Sequence, residues 1–216
     1  MTNMAIIGSA GRRDDASRMN SNLYAAMVRH AEDMVIRRRV DYLVSGGAAF
    51  ADHVAVTLFL NKKVESLVLF MPALFKSGEY VARNGVKNND ASTANRYHRN
   101  FSKKCRLNSL ADIDEAINKG ATVEFLDGYK QRNLEVAATA NNILAYTFGN
   151  SVSSEFGRDG GASLGDKDHL EFSSNHDESG FTSARIAGLK PGGTEHTWNE
   201  AWKAEWKRHV NLNELI

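Results

Sequence analysis

The chain has 216 residues, a formal net charge of +1, 42% hydrophobic and 25% charged residues. That length and balance suit a single folded domain, residues 1–216, which buries enough apolar surface to need neither disulfide nor metal. They argue against a dedicated nucleic-acid binder, which carries a strong basic excess, and against low-complexity or fibrous chains.

Residues 3–9 form an apolar run that ends in Gly8-Ser9, the pattern of a buried strand meeting a turn. Helical spacing over 17–39 places Leu23, Met27, His30, Met34 and Val35 on one face. The basic run Arg37-Arg38-Arg39 reads as a solvated face. A second strand at 41–45 runs into Gly46-Gly47-Ala48-Ala49 and a helix over 51–60. A third strand at 66–71 stops at Pro72.

Residues 73–108 are rich in Asn, Lys, Arg and Ser and read as an excursion over the sheet with some helix. The one cysteine, Cys105, permits no internal disulfide and fits a reducing compartment. Its neighbours Lys104 and Arg106 would lower its pKa, yet no catalytic partner stands near it in sequence. Ser109 and Asp112 have capping-box spacing at the start of a helix that Gly120 ends.

A short strand at 121–126, a helix at 130–141 and a strand at 143–148 follow. Residues 149–188 form the longest irregular stretch, with hairpin signals at 169–172 and 181–186. Asp168, His169, Asp177 and Glu178 there read as a solvated acidic loop more naturally than as a cation site. Pro191-Gly192-Gly193-Thr194 opens a last helix over 195–209, on which Trp198, Trp202 and Trp206 form a stripe suited to core packing or a homodimer face.

Strands alternating with helices predict an α/β, Rossmann-like fold: a mostly parallel open sheet flanked by helices, with long insertions at 73–108 and 149–188. The N-terminus has no basic region leading into a long apolar core, and no run approaches the roughly 20 apolar residues of a membrane span, so a cytoplasmic protein is expected.

Three strand ends carry glycine elbows before helices: Gly8-Ser9, Ser45-Gly46-Gly47-Ala48 and Gly192-Gly193-Thr194. Glycine lets backbone approach a ligand, and a helix N-terminus offers free N–H groups to an anion. Such elbows gather at the carboxyl edge of an open sheet, which predicts a phosphorylated nucleotide-type ligand. None is a Walker A loop or a Gly-x-Gly-x-x-Gly fingerprint, so ATPase and hydride-transfer chemistry are disfavoured. No His or Cys spacing reads as a metal site, and no cofactor is implied.

Val44-Ser-Gly-Gly-Ala-Ala-Phe-Ala-Asp52 resembles the Ser-Gly-Gly-Ala-x-Gly-x-Asp segment of the SLOG superfamily, which includes the Lonely Guy phosphoribohydrolases, SMF proteins and YpsA-like proteins. Phe50 stands where that pattern has glycine. Arg132-Asn133, nine residues ahead of Asn141, resembles the Arg-Lys helix that ends in Ala-Asp in Lonely Guy enzymes, with Asn at both changed positions. Pro191-Gly-Gly-Thr-Glu-His-Thr-Trp-Asn-Glu200 resembles Pro-Gly-Gly-x-Gly-Thr-x-x-Glu with one extra residue and no third glycine.

The resemblance implies cleavage or transfer at the N-glycosidic bond of a nucleoside 5′-monophosphate. In that reading Arg132 holds the phosphate or ribose side, and Glu200 or Glu195 orients water or steadies an oxocarbenium-like centre. Alternatively, Arg132 is a surface residue and Glu200 pairs with Lys203. His196 is the candidate proton donor to a leaving base. Ser9, Ser45, Thr194 and Thr197 would offer hydroxyls to a phosphate or cap helices. Arg12 and Arg13 would clamp the phosphate, with Asp52 and Asn133 as further contacts. A non-catalytic sensor of a nucleotide-derived ligand is the alternative, favoured by Phe50, Asn133 and Asn141. DNA handling, as in the SMF proteins, fits the near-zero charge poorly.

Overall fold

The structure is a computed structural model and describes residues 1–82, 89–149, 155–156, 189 and 192–215. The cation candidates Asp168, His169, Asp177 and Glu178, both hairpin signals in 149–188, and Pro191 lie outside the described residues.

Nearly continuous apolar runs form the strands β1 (Asn3–Gly8), β2 (Tyr42–Ser45), β3 (Ser66–Met71) and β7 (Asn142–Thr147). With β6 (Thr122–Phe125) and β9 (Trp206–Asn211) they make six parallel strands. The sheet order is β6-β3-β2-β1-β7-β9, and β8 (Glu155–Phe156) adds antiparallel to β9. Successive residues of β1 serve opposite faces: Met4 and Ile6 enter one core, Ala5 and Ile7 the other. β7 divides likewise, with Leu144 and Tyr146 against Ile143 and Ala145. Strands buried on both faces need helices on both sides.

One face is covered by α2 (Ser21–Arg38), α3 (His53–Leu60), α4 (Asn89–Cys105) and α5 (Ser109–Asn118). The other is covered by α6 (Gly128–Thr139) and α7 (Gly193–Glu200). β1, β2, β3 and β6 step outward in one direction, whereas the chain returns through α6 to place β7 on the opposite side of β1. The order of strands therefore reverses between β1 and β7, and a ligand crevice is expected beyond their carboxyl ends.

Several boundaries differ from the sequence reading. The helix expected over 17–39 is two: α1 (Asp15–Arg18) and α2. Asn20 is extended, and its side chain accepts the Leu23 N–H at 2.9 Å, so a new helix starts there. Asn108, not Ser109, caps α5 through the Ala111 N–H. The excursion at 73–108 contains a hairpin, β4 (Leu74–Lys76) and β5 (Glu79–Val81), followed by α4. Ser77 and Gly78 both have positive φ, as a two-residue hairpin turn of matching twist requires.

The last helix ends at Glu200, and Trp206 opens β9 instead. Pairing of 206–211 with β7 extends the sheet, which outweighs the four-residue recurrence of tryptophan. Trp198 is buried, Trp202 is 76% exposed, and Trp206 lies under the Arg38 guanidinium, so the three form no common stripe. Cys105 also departs from expectation: burial pushes its thiol up to about 11 rather than down. Among the described residues no helix is long and apolar enough to cross a membrane.

Phe50 shows how the second elbow holds a bulky residue. Its φ of 64° is the left-handed conformation that glycine would adopt freely. Its ring is fully buried, stacked on Phe148 and edge-on to Phe101, with Tyr24 alongside. Phe50→Ala should cost about 3–5 kcal/mol, as large core truncations do. Phe50→Gly should cost about 1–2 kcal/mol less, because the backbone strain is relieved. Urea unfolding measures both, and a glycine variant as stable as the parent would refute the packing role.

Candidate functional site

A cavity of about 420 Å³ opens beyond the carboxyl ends of β1, β2 and β7. The three glycine elbows converge on it: Gly8-Ser9, Gly46-Gly47-Ala48 and Gly192-Gly193-Thr194 all line its wall. They are also tied to each other. The Thr194 hydroxyl donates to the Gly8 carbonyl at 2.9 Å, and the Ala51 N–H donates to the Ser9 carbonyl at 3.2 Å.

Asp52 locks this junction from beneath. Its carboxylate accepts the Gly8 N–H at 3.2 Å and Arg132 Nη1 at 3.1 Å. The same Nη1 donates to the Gly46 carbonyl at 3.1 Å. Arg132 and Asp52 are a buried ion pair, with side chains 9% and 5% exposed. Burial pushes the Asp52 carboxyl above its ordinary value, and Arg132 with the N–H groups of Ala48 and Gly8 pulls it back. The guanidinium fits because Gly46 has no side chain. A Cβ there would stand 1.8 Å from Arg132 Nη1.

Convergence does not mean that every elbow amide is free for an anion. Gly8 N–H serves Asp52, Ser9 N–H serves the Tyr146 carbonyl, and Gly47 N–H serves Ser45 Oγ. Ser45 itself is fully buried behind the wall, with its hydroxyl donating to the Asp52 carbonyl. Ser9 Oγ is held by Asp15 and by the Gly11 N–H. The first turn of α7 differs: the N–H groups of Gly193, Thr194 and Glu195 have no carbonyl within the helix to accept them. Asn133 lies beside this turn, its amide nitrogen 3.2 Å from where a Gly193 Cβ would be, and Thr197 lines the cavity one turn on. Arg12 and Arg13 line the cavity too and are exposed.

The glutamates and His196 are placed elsewhere. Glu200 is exposed at the last position of α7. Glu195 and His196 are part-buried in the first half of that helix, and none of the three lines the cavity. Buried His196 Nδ1 has no hydrogen-bond partner. The carboxylates that line the cavity are Asp14, Asp15 and Asp52.

Tyr97, His98, Tyr129 and Thr147 line the cavity without having been singled out in the sequence. Tyr129 had a signal: it stands one helical turn before Arg132, whose guanidinium lies 5.4 Å from its ring centre. Its hydroxyl donates to the Asp90 carbonyl, and burial raises its pKa to about 12. Thr147 Oγ1 pairs with His209 Nε2 at 2.6 Å.

His98 braces the second elbow. Its Nε2 lies 3.0 Å from the Gly47 carbonyl, which can only accept, so Nε2 carries the proton and Nδ1 accepts from the Ser109 hydroxyl. The Tyr80 hydroxyl donates to the same Gly47 carbonyl.

No family model and no solved structure matches the chain. An uncharacterized protein of Acanthamoeba polyphaga mimivirus is 30% identical over 152 residues, covering 67% of this chain and 81% of the viral one. The two belong to one family.

Two outcomes test this geometry. Gly46→Ala should displace Arg132 and leave Asp52 unpaired, costing about 3–5 kcal/mol as broken buried pairs do; denaturant unfolding measures it, and a loss under about 1 kcal/mol would refute the lock. The second concerns acid stability. Burial holds the His98 pKa down at about 3, below its ordinary 6.5, so its neutral ring stabilises the fold fully above pH 6.5. That contribution is lost as pH falls from 6.5 toward 3. His98→Gln should be less stable at pH 8 and show a shallower loss of stability through the acid window, measured by urea unfolding across pH.

Proposed function

We propose that this member of the family binds a phosphorylated nucleotide-type small molecule in the cavity between the ends of β1 and β7. The observation that carries the reading is the meeting of three glycine elbows with Arg12 and Arg13 around one cavity. The phosphate belongs at the first turn of α7, where N–H groups without an acceptor in the helix and the helix dipole favour an anion. Arg12 and Arg13 supply the neutralising charge, and their planar guanidinium groups suit phosphate oxygens. Arg132 acts by fixing the elbows, because its Nη1 is engaged by Asp52 and Gly46. The resemblance of three segments to SLOG proteins supports the same ligand class.

Binding without bond cleavage is the leading reading, because Glu195, Glu200 and His196 stand outside the cavity wall. N-glycosidic cleavage is the second reading, favoured by the carboxylates of Asp14 and Asp52 in that wall, since a carboxylate beside the anomeric carbon would stabilise an oxocarbenium-like centre.

Thermal-shift and calorimetric titration with AMP, GMP, CMP, UMP and ADP-ribose tests the proposal. A saturating ligand at a hundredfold its Kd should stabilise the fold by about 2.7 kcal/mol. Arg13→Ala should weaken that ligand about tenfold, as loss of one charge-assisted phosphate contact does. Stabilisation by none of the five would overturn the reading. Chromatography of the same mixtures separates the two forms: an intact ligand supports sensing, and free base accumulating with time supports cleavage.

A further inference from the structure

Two tyrosines meet Arg12 at the cavity, and the phosphate reading leaves both rings unused. Tyr97 comes from α4, Tyr129 from the first turn of α6, and Arg12 follows the β1 elbow. The Arg12 guanidinium carbon lies 5.6 Å from the Tyr97 ring centre and 5.8 Å from that of Tyr129. Rings from two separate helices thus address one point, and a flat, delocalised group occupies it.

The setting fixes the Tyr129 ring. The Tyr129 hydroxyl is tied to the Asp90 carbonyl at 3.2 Å. Arg132, itself immobilised by Asp52 and Gly46, lies 5.4 Å from the Tyr129 ring centre. The Arg96 guanidinium lies 5.2 Å from the Tyr97 ring centre, and the neighbouring His98 is fully buried and bonded at both nitrogens. Arg12 is exposed and has no such anchor among its described contacts beyond the two rings. A guanidinium stacks on aromatic faces because it is planar and weakly hydrated, and a heterocyclic base shares the planarity and presents a π face of its own.

We propose that Tyr97 and Tyr129 form the recognition slot for the heterocyclic base of the ligand, with Arg12 as the movable side chain that fills the slot when no base is present. The proposal rests on the nucleotide reading and adds its aromatic half. Selection in such a slot is by stacking area, so purine nucleotides bind more tightly than pyrimidine nucleotides, and a sugar phosphate without a base binds more weakly than either.

The test compares AMP with ribose 5-phosphate by calorimetry on the full chain, the parent beside Tyr97→Leu, Tyr129→Leu, Tyr97→Phe and Tyr129→Phe. AMP should bind the parent at least about tenfold more tightly than ribose 5-phosphate, the gain that base stacking supplies. Each Leu variant should lose most of that ratio while holding ribose 5-phosphate as the parent does, which also reports that it is folded. Each Phe variant should keep the ratio. Equal affinity of the parent for the two compounds overturns the slot and leaves the phosphate site standing. An unchanged ratio in both Leu variants overturns it as well. Binding of neither compound to the parent removes the nucleotide reading itself.

Discussion

A single buried carboxylate ties the functional end of this molecule together. Asp52 sits just before α3, yet its oxygens reach the backbone of the first elbow and the guanidinium of Arg132 on α6. A carboxylate out of water costs several kcal/mol unless its lone pairs are filled, so its partners have little freedom to leave. The cost is met by one cation and by backbone N–H groups that would otherwise also be buried without partners. The first elbow, the second elbow and α6 are thereby held in one geometry before any ligand arrives. Preorganisation of this kind spares a ligand the expense of ordering the site.

The insertion at 73–108 belongs to that framework. The Tyr80 hydroxyl and His98 ring both donate to the Gly47 carbonyl, so the hairpin and α4 grip the second elbow from behind. With that carbonyl drawn away, Gly47 keeps its left-handed φ of 62° and its N–H turns to Ser45. Much of the elbow's hydrogen bonding is thus spent on shape. The first turn of α7 and the exposed arginines beside β1 are left for the proposed anion.

How much of this was legible in the sequence depended on whether local pattern or distant contact decided the outcome. The apolar runs of β1, β2, β3 and β7 are buried on both sheet faces, so hydrophobicity alone marked them. The elbows were legible because glycine at a strand end has few other uses. α4 was hidden: its buried stripe runs Ala91, Ala94, His98, Phe101 and Cys105, which keeps helical spacing but is too small and polar to register as hydrophobic. Tyr97 was hidden with it. The tryptophan recurrence misled because 206–211 pairs with β7, about sixty residues earlier, and pairing at that distance leaves no local signature. Glu200 failed to reach the cavity for a similar reason: α7 points its first turn inward and its last residue into solvent.

Phe50 carries a consequence for how this family can vary. A residue whose backbone prefers glycine, but whose ring fills a socket among Tyr24, Phe101 and Phe148, is held by two opposing demands. A change of Phe50 to glycine alone leaves a void; refilling the socket from its other walls while Phe50 remains leaves no room. A glycine elbow at position 50 is therefore compatible with this core only if the aromatic neighbours change with it, so the four rings behave as one unit under substitution.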